Sequence, residues 1–196
     1  RDLVSVGRAD LARQELYEIE RRARRADDRR KLMAEYQLVE NYNRASYISE
    51  IGFGAERVRG GMQGARPLWE FAYPRAFEKQ VTTNAGTFNV PQEFVWAIMR
   101  AESQYRQDVQ SPVGAMGLMQ IMPFTGRRIA DLLQQRDFDV PMLLQPATNI
   151  RYGTRYLQRL LEKFSSSVPL SAAAYNAGPH RVQAWLKSFG LLDMDE

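Results

Sequence analysis

The stretch Pro91-Gln92-Glu93-Phe94-Val95-Trp96-Ala97-Ile98-Met99-Arg100-Ala101-Glu102-Ser103-Gln104-Tyr105 decides how the chain is read. It opens on a proline, which a helix tolerates in its first turn because an N–H there has no intrahelical partner. Phe94, Val95, Ile98 and Met99 then recur at helical spacing. Glu102 comes four residues after Ile98 and three after Met99, so a carboxylate stands where the apolar stripe calls for a core residue. Burial disfavours its anion, and the negative end of the helix dipole acts in the same direction. A carboxyl raised in this way keeps its proton longer, which suits a proton donor. The alternative is a glutamate on a frayed, solvated helix end.

The residues beyond Tyr105 weigh against that alternative. A polar connection through Asp108 leads into Ser111-Pro112-Val113-Gly114-Ala115-Met116-Gly117-Leu118-Met119-Gln120-Ile121-Met122-Pro123, too polar and glycine-rich for a plain core segment. Gly114 and Gly117 permit positive φ or close backbone approach. Further on, Ala172-Ala173-Ala174-Tyr175-Asn176-Ala177-Gly178 again sets small residues around two polar side chains.

Working outward, Asp10 to Tyr47 reads as two or three amphipathic helices, with Leu11, Leu16, Ile19, Leu32, Met33, Tyr36, Val39 and Tyr42 at helical intervals. Gly52, Gly54, Gly60, Gly61 and Gly64 mark a connector over 52–67, and the domain boundary is placed there. A short polar turn is expected over Asn84 to Val90. Helices are expected over 125–135, over 146–164, near 170–176 and over 179–189. No segment shows convincing strand alternation, so the class is all-α, although a small hairpin beside the glycine loop would escape this reading.

Composition sets outer bounds. The chain has 196 residues, 44% of them hydrophobic, enough for one good core and an appended helical layer. No apolar run is long enough to cross a bilayer, and no basic start precedes an apolar signal core. The absence of cysteine excludes disulfides and thiolate metal sites. The formal charge of +4 permits anionic partners. Nucleic acid is not expected: Arg21 to Lys31 is basic but interleaved with Asp27 and Asp28 and preceded by Glu18 and Glu20, the pattern of a solvated helix face. His180 is the sole histidine and supports neither a metal site nor a Ser-His-acid triad. No metal and no cofactor are expected.

Glycoside cleavage needs a proton on the leaving oxygen and a nucleophile or stabiliser for the oxocarbenium-like carbon. Glu102 supplies the first. For the second, Asp108 is the nearby acid in sequence, on a loop where a turn role serves equally well.

Three blocks, Ala101-Glu102-Ser103-Gln104-Tyr105, Ser111 to Pro123, and Ala173 to Gly178, resemble the soluble lytic transglycosylases, in that family's order and with similar spacing. Asn149-Ile150, Gly153-Thr154 and Tyr156-Leu157 resemble the family's buried helix, and Tyr73-Pro74 its domain entrance. The resemblance implies a lysozyme-like catalytic domain over 71–196, incomplete at its C-terminus because longer members continue beyond the point where this chain stops at Glu196. It also implies a helical, superhelix-type lead-in over 1–70. The implied reaction cleaves the MurNAc-GlcNAc bond of peptidoglycan glycan strands without water: the 6-hydroxyl of N-acetylmuramic acid attacks its own anomeric carbon and leaves a 1,6-anhydro end. Glu102 acts as acid and then as base. Ser111, Gln120, Met122 and Thr125 match positions lining the glycan groove, and Tyr175 and Asn176 match the pair opposite the acid, Tyr175 as a donor to Glu102 or to the substrate amide. The implied location is the periplasm or cell envelope of a bacterium, and the N-terminal helices are a candidate surface for a protein partner.

Other readings of these side chains stay open at the level of sequence. Gln120 and Asn176 could satisfy buried backbone groups. Met116 and Met119 could be core filler, with Met122 the better groove candidate. Trp96 and Trp185 could be core or could stack on a sugar. A goose-type lysozyme hydrolase and a non-catalytic glycan-binding or scaffolding module are the alternative functions.

Overall fold

The structure, a computed structural model, describes residues 2–190; the expected break at Glu196 lies outside them. Its elements are α1 (Asp2–Ser5), α2 (Ala9–Arg22), α3 (Ala26–Leu38), α4 (Tyr42–Gly64), α5 (Arg66–Ala72), α6 (Glu78–Phe88), α7 (Gln92–Ser103), α8 (Pro123–Leu132), a 3-10 turn (Val140–Leu144), α9 (Pro146–Lys163), α10 (Val168–Ala177) and α11 (Pro179–Phe189). Among the described residues the extended pairing consists of isolated bridges, Gln110 with Met116 and Met116 with Ile121. The class is all-α.

The chain divides into two compact units, Arg1–Phe77 with Gln104–Arg106, and Glu78–Ser103 with Gln107–Glu196. In the first, Leu32, Met33, Tyr36, Val39, Ala45, Ile48, Phe53 and Leu68 form the core. Two buried serines of α4 tie it to α5, Ser46 Oγ donating to Ala72 O at 2.9 Å and Ser49 Oγ to Leu68 O at 2.6 Å. The connector expected over 52–67 is instead helix: α4 runs on to Gly64, kinked at Gly61 (φ 62°, ψ −171°). α4 buries Ala45, Ile48 and Phe53 along one face of its first half, and at Gly61, where φ is positive, the regular helix breaks.

The second unit is organised around α9, which packs against α6, α7, α8 and α10. Pro146 opens α9, and its apolar face buries Ile150, Tyr152, Leu157, Leu160 and Leu161. The turn expected over Asn84 to Val90 is confined to its end. Val81, Ala85 and Phe88 are buried at helical spacing, so α6 continues to Phe88. Asn89 then takes a left-handed conformation (φ 50°) while Val90 N donates back to Ala85 O at 3.0 Å, closing the helix.

Candidate active site

Glu102 is the penultimate residue of α7. Gln104 and Tyr105 both adopt positive φ, 49° and 64°, and so end the helix directly after it. The Phe94, Val95, Ile98, Met99 stripe is buried as the spacing requires, and Glu102 at its end is half-buried. Burial holds its carboxyl above the usual glutamate range. Ser103 is buried, and its hydroxyl reaches Leu118 O at 2.7 Å and Met99 O at 3.1 Å.

The glycine-bearing loop is knitted by its own hydrogen bonds. Ser111 Oγ accepts from Ala115 N at 2.9 Å, Gly117 N donates to Val109 O at 2.8 Å, and Met116 and Ile121 exchange backbone bonds at 3.0 Å. Gln120 Nε2 donates to Gly117 O at 2.8 Å and to Val109 O at 3.3 Å. Two of the expected groove residues, Ser111 and Gln120, thus also hold the loop's shape. Met122 caps α8 and Thr125 lies in its first turn, both half-buried. Gly117 sits at φ 74°, and a Cβ there would run into Leu143 O and Asn149 Nδ2, so only glycine fits.

Opposite, on α10, the half-buried Tyr175 donates its hydroxyl to Met119 O at 2.7 Å. That differs from the expected donation to Glu102 or to a substrate amide: one phenolic hydrogen serves one acceptor, leaving lone pairs for any further partner. Tyr175 and Glu102 nevertheless share one electrostatic environment. Burial, then the Glu102 charge, then Tyr156 push the phenol far above its ordinary range. The Tyr156 and Tyr175 rings lie 5.4 Å apart, inclined at 59°. Asn176, the next residue, is exposed.

The sequence alone assigns no role to Asn149. This residue of α9 is fully buried; its Oδ1 accepts from Met119 N at 2.7 Å while Nδ2 donates to Met116 O at 2.8 Å and Leu143 O at 2.7 Å. One turn further, Gly153 lets Met119 lie against the helix backbone, where a Cβ would collide with the thioether. The available signal was a polar residue on the apolar stripe of α9, since a buried amide needs partners for all its hydrogens.

Met116 and Met119 are buried, as core filler would be, whereas Asp108 and His180 are exposed. Trp96 is half-buried and Trp185 exposed. Among the described residues no group of three or more His, Cys, Asp or Glu is placed to hold a metal ion, and no helix is long and apolar enough to cross a membrane.

Comparison with known proteins converges on one family. Residues 80–195 match the transglycosylase SLT domain. The soluble lytic murein transglycosylase of Escherichia coli K12 is 41% identical over 134 residues, 66% of this chain and 21% of that protein. The crystal structure of the 70 kDa soluble lytic transglycosylase of E. coli superposes with a TM-score of 0.60 at 32% identity, over 80% of this chain and 27% of that one. A complex of the 70 kDa soluble lytic transglycosylase with bulgecin A superposes at 0.61 and 30% identity, over 90% of this chain and 29% of that one. The chain thus spans about a fifth of the length of this curated relative.

Proposed function

The chain belongs to the transglycosylase SLT domain family, and from that premise we propose that it is a peptidoglycan lytic transglycosylase. The substrate is the β-1,4 bond between MurNAc and GlcNAc in the glycan strands of the bacterial cell wall, and the working compartment is the periplasm or cell envelope. The observation that carries this reading is Glu102, a half-buried carboxyl at the end of the buried face of α7, held above the usual glutamate range by burial.

A carboxyl of raised pKa carries its proton at a pH where an ordinary glutamate has lost it, and delivers it to the glycosidic oxygen as the C–O bond breaks. The resulting carboxylate, close to a tyrosine and partly desolvated, then takes the proton of the 6-hydroxyl of the same MurNAc, whose oxygen closes onto the anomeric carbon. The product is a 1,6-anhydro end, and no water is consumed. A hydrolase would place a second carboxylate beside the first; Asp108, the nearby acid in sequence, is exposed on its loop. In this reading Ser111, Gln120, Met122, Thr125, Tyr175 and Asn176 line the groove that holds the strand.

The test is digestion of purified sacculi and mass analysis of the released muropeptides. Anhydro ends are expected. Hydrated reducing ends would establish hydrolysis instead, and release of nothing by the intact chain would favour a binding module. Glu102→Gln is expected to retain glycan binding while losing about 10² to 10⁴ in cleavage rate, the usual worth of a general acid.

A further inference from the structure

The chain leaves α7 through a turn that few side chains adopt unaided. Gln104 and Tyr105 are consecutive left-handed residues, φ 49° and 64°, and neither is a glycine or an asparagine. A Cβ in that region crowds the neighbouring carbonyl, so such residues persist only where their surroundings hold them. The surroundings here belong to the first compact unit, which takes in Gln104–Arg106 although the chain on both sides belongs to the second. Tyr105 is 3% exposed. Asn43, in the first turn of α4, donates from Nδ2 to Gln104 O at 2.9 Å, across 61 residues of sequence. The Gln104 side chain is exposed and contributes no burial of its own to the turn.

We propose that Asn43 is a positioning residue: by holding the Gln104 carbonyl it secures the left-handed turn that stops α7 two residues after Glu102 and sends the chain into the glycine-bearing loop. Without that turn α7 would run on past Ser103, because the right-handed region is the lower-lying one for glutamine and tyrosine. The route from Asn43 to the acid is covalent, since two peptide bonds separate Gln104 from Glu102. Ser103, between the acid and the turn, ties the same helix end to the loop through Leu118 O, 2.7 Å away. The direction in which the chain leaves Gln104 therefore sets where the loop starts its course back to that bond. The assignment rests on the lytic reading for its effect on turnover, while its effect on the helix end is measured separately.

The experiment compares Asn43→Ala, Gln104→Gly and the double variant in the full chain, reading kcat and KM for anhydro-product release together with amide hydrogen exchange in α7. Loss of one such hydrogen bond is worth about three- to tenfold. Asn43→Ala is therefore expected to lower kcat by that factor with KM held within about twofold, and to speed exchange in the last turn of α7 to a similar extent. Glycine takes the left-handed region without a Cβ penalty, so Gln104→Gly alone keeps the parent kcat and the double variant recovers it. That rescue separates holding the turn from merely stabilising the unit. Ser49→Ala breaks a buried bond from the same helix to Leu68 O; it lowers the urea midpoint and leaves kcat unchanged. Asn43→Asp keeps the shape but, once ionised, has no hydrogen to donate, and loses at least as much kcat as Asn43→Ala. In an active chain, Asn43→Ala or Asn43→Asp at the parent kcat overturns the proposal, as does a loss of equal size when Asn43→Ala is made beside Gln104→Gly. A parent chain that releases no anhydro ends overturns the lytic reading instead, and exchange in α7 then decides the role of Asn43 by itself.

Discussion

At the scale of the single residue, Glu102 ties activity to stability through its proton. Burial raises its folded-state pKa above the unfolded value. Between those two values the native chain holds more protons than the unfolded one, so stability falls as pH rises through the window and stays lowered above it. Glu102→Gln removes that cost. Thermal unfolding is therefore expected to show the variant more stable than the parent at neutral pH, with the difference closing as pH drops to the ordinary glutamate range; a difference of constant size would mean that the carboxyl is not desolvated. This residue was legible in sequence because a stripe with one wrong letter is a local pattern. Asn149 was legible only as a polar letter on the apolar stripe of α9; what it bonds was not, because its partners Met116, Met119 and Leu143 are brought to it by the fold.

At the scale of the element, helix starts were read most easily where proline marks them. Pro146 and Pro179 open helices where the sequence reading starts them, whereas the helix expected over 125–135 begins at Pro123 and ends at Leu132. The helices misread as connector or turn fail for opposite reasons. In α4 the glycines were read as breakers and one of them, Gly61, does break the helix while the others lie within helical turns, whereas in α6 the apolar signal of Val81, Ala85 and Phe88 was present but thinned by Thr82, Thr83, Asn84 and Gly86 between them. Gly153 of α9 leaves no room for a Cβ beside Met119, a side chain with no exposed surface into which to retreat. Gly153→Ala is expected to cost about 1 to 3 kcal/mol in urea unfolding, the usual penalty of overpacking. Adding Met119→Ala opens room for the new methyl, so the double variant should lose less than the two single losses combined. Strict additivity would show that the methyl is accommodated elsewhere.

At the scale of the whole molecule, each compact unit has its own polar anchor. In the first, Glu20 accepts from Arg44 Nε at 2.7 Å, from Arg44 Nη2 and from the Tyr36 hydroxyl at 2.8 Å, joining α2, α3 and α4. Burial, and then the Glu20 carboxylate, push the Tyr36 phenol above its ordinary range, while the same carboxylate raises the Arg44 guanidinium. Glu20→Gln leaves a partly buried guanidinium without its counter-charge and is expected to destabilise the first unit by about 1 to 3 kcal/mol. Amide hydrogen exchange in α3 and α4 should accelerate in step; exchange at the parent rate would count the cluster as surface decoration.

The bonds that converge on Leu118 and Met119 span 15, 30 and 56 residues. Helices form from neighbours and close within microseconds, but contacts of that reach must wait for long loops to come together. Activity is therefore expected to return later than helical dichroism during refolding, because the bonds that shape the loop following Glu102 join stretches far apart in the chain.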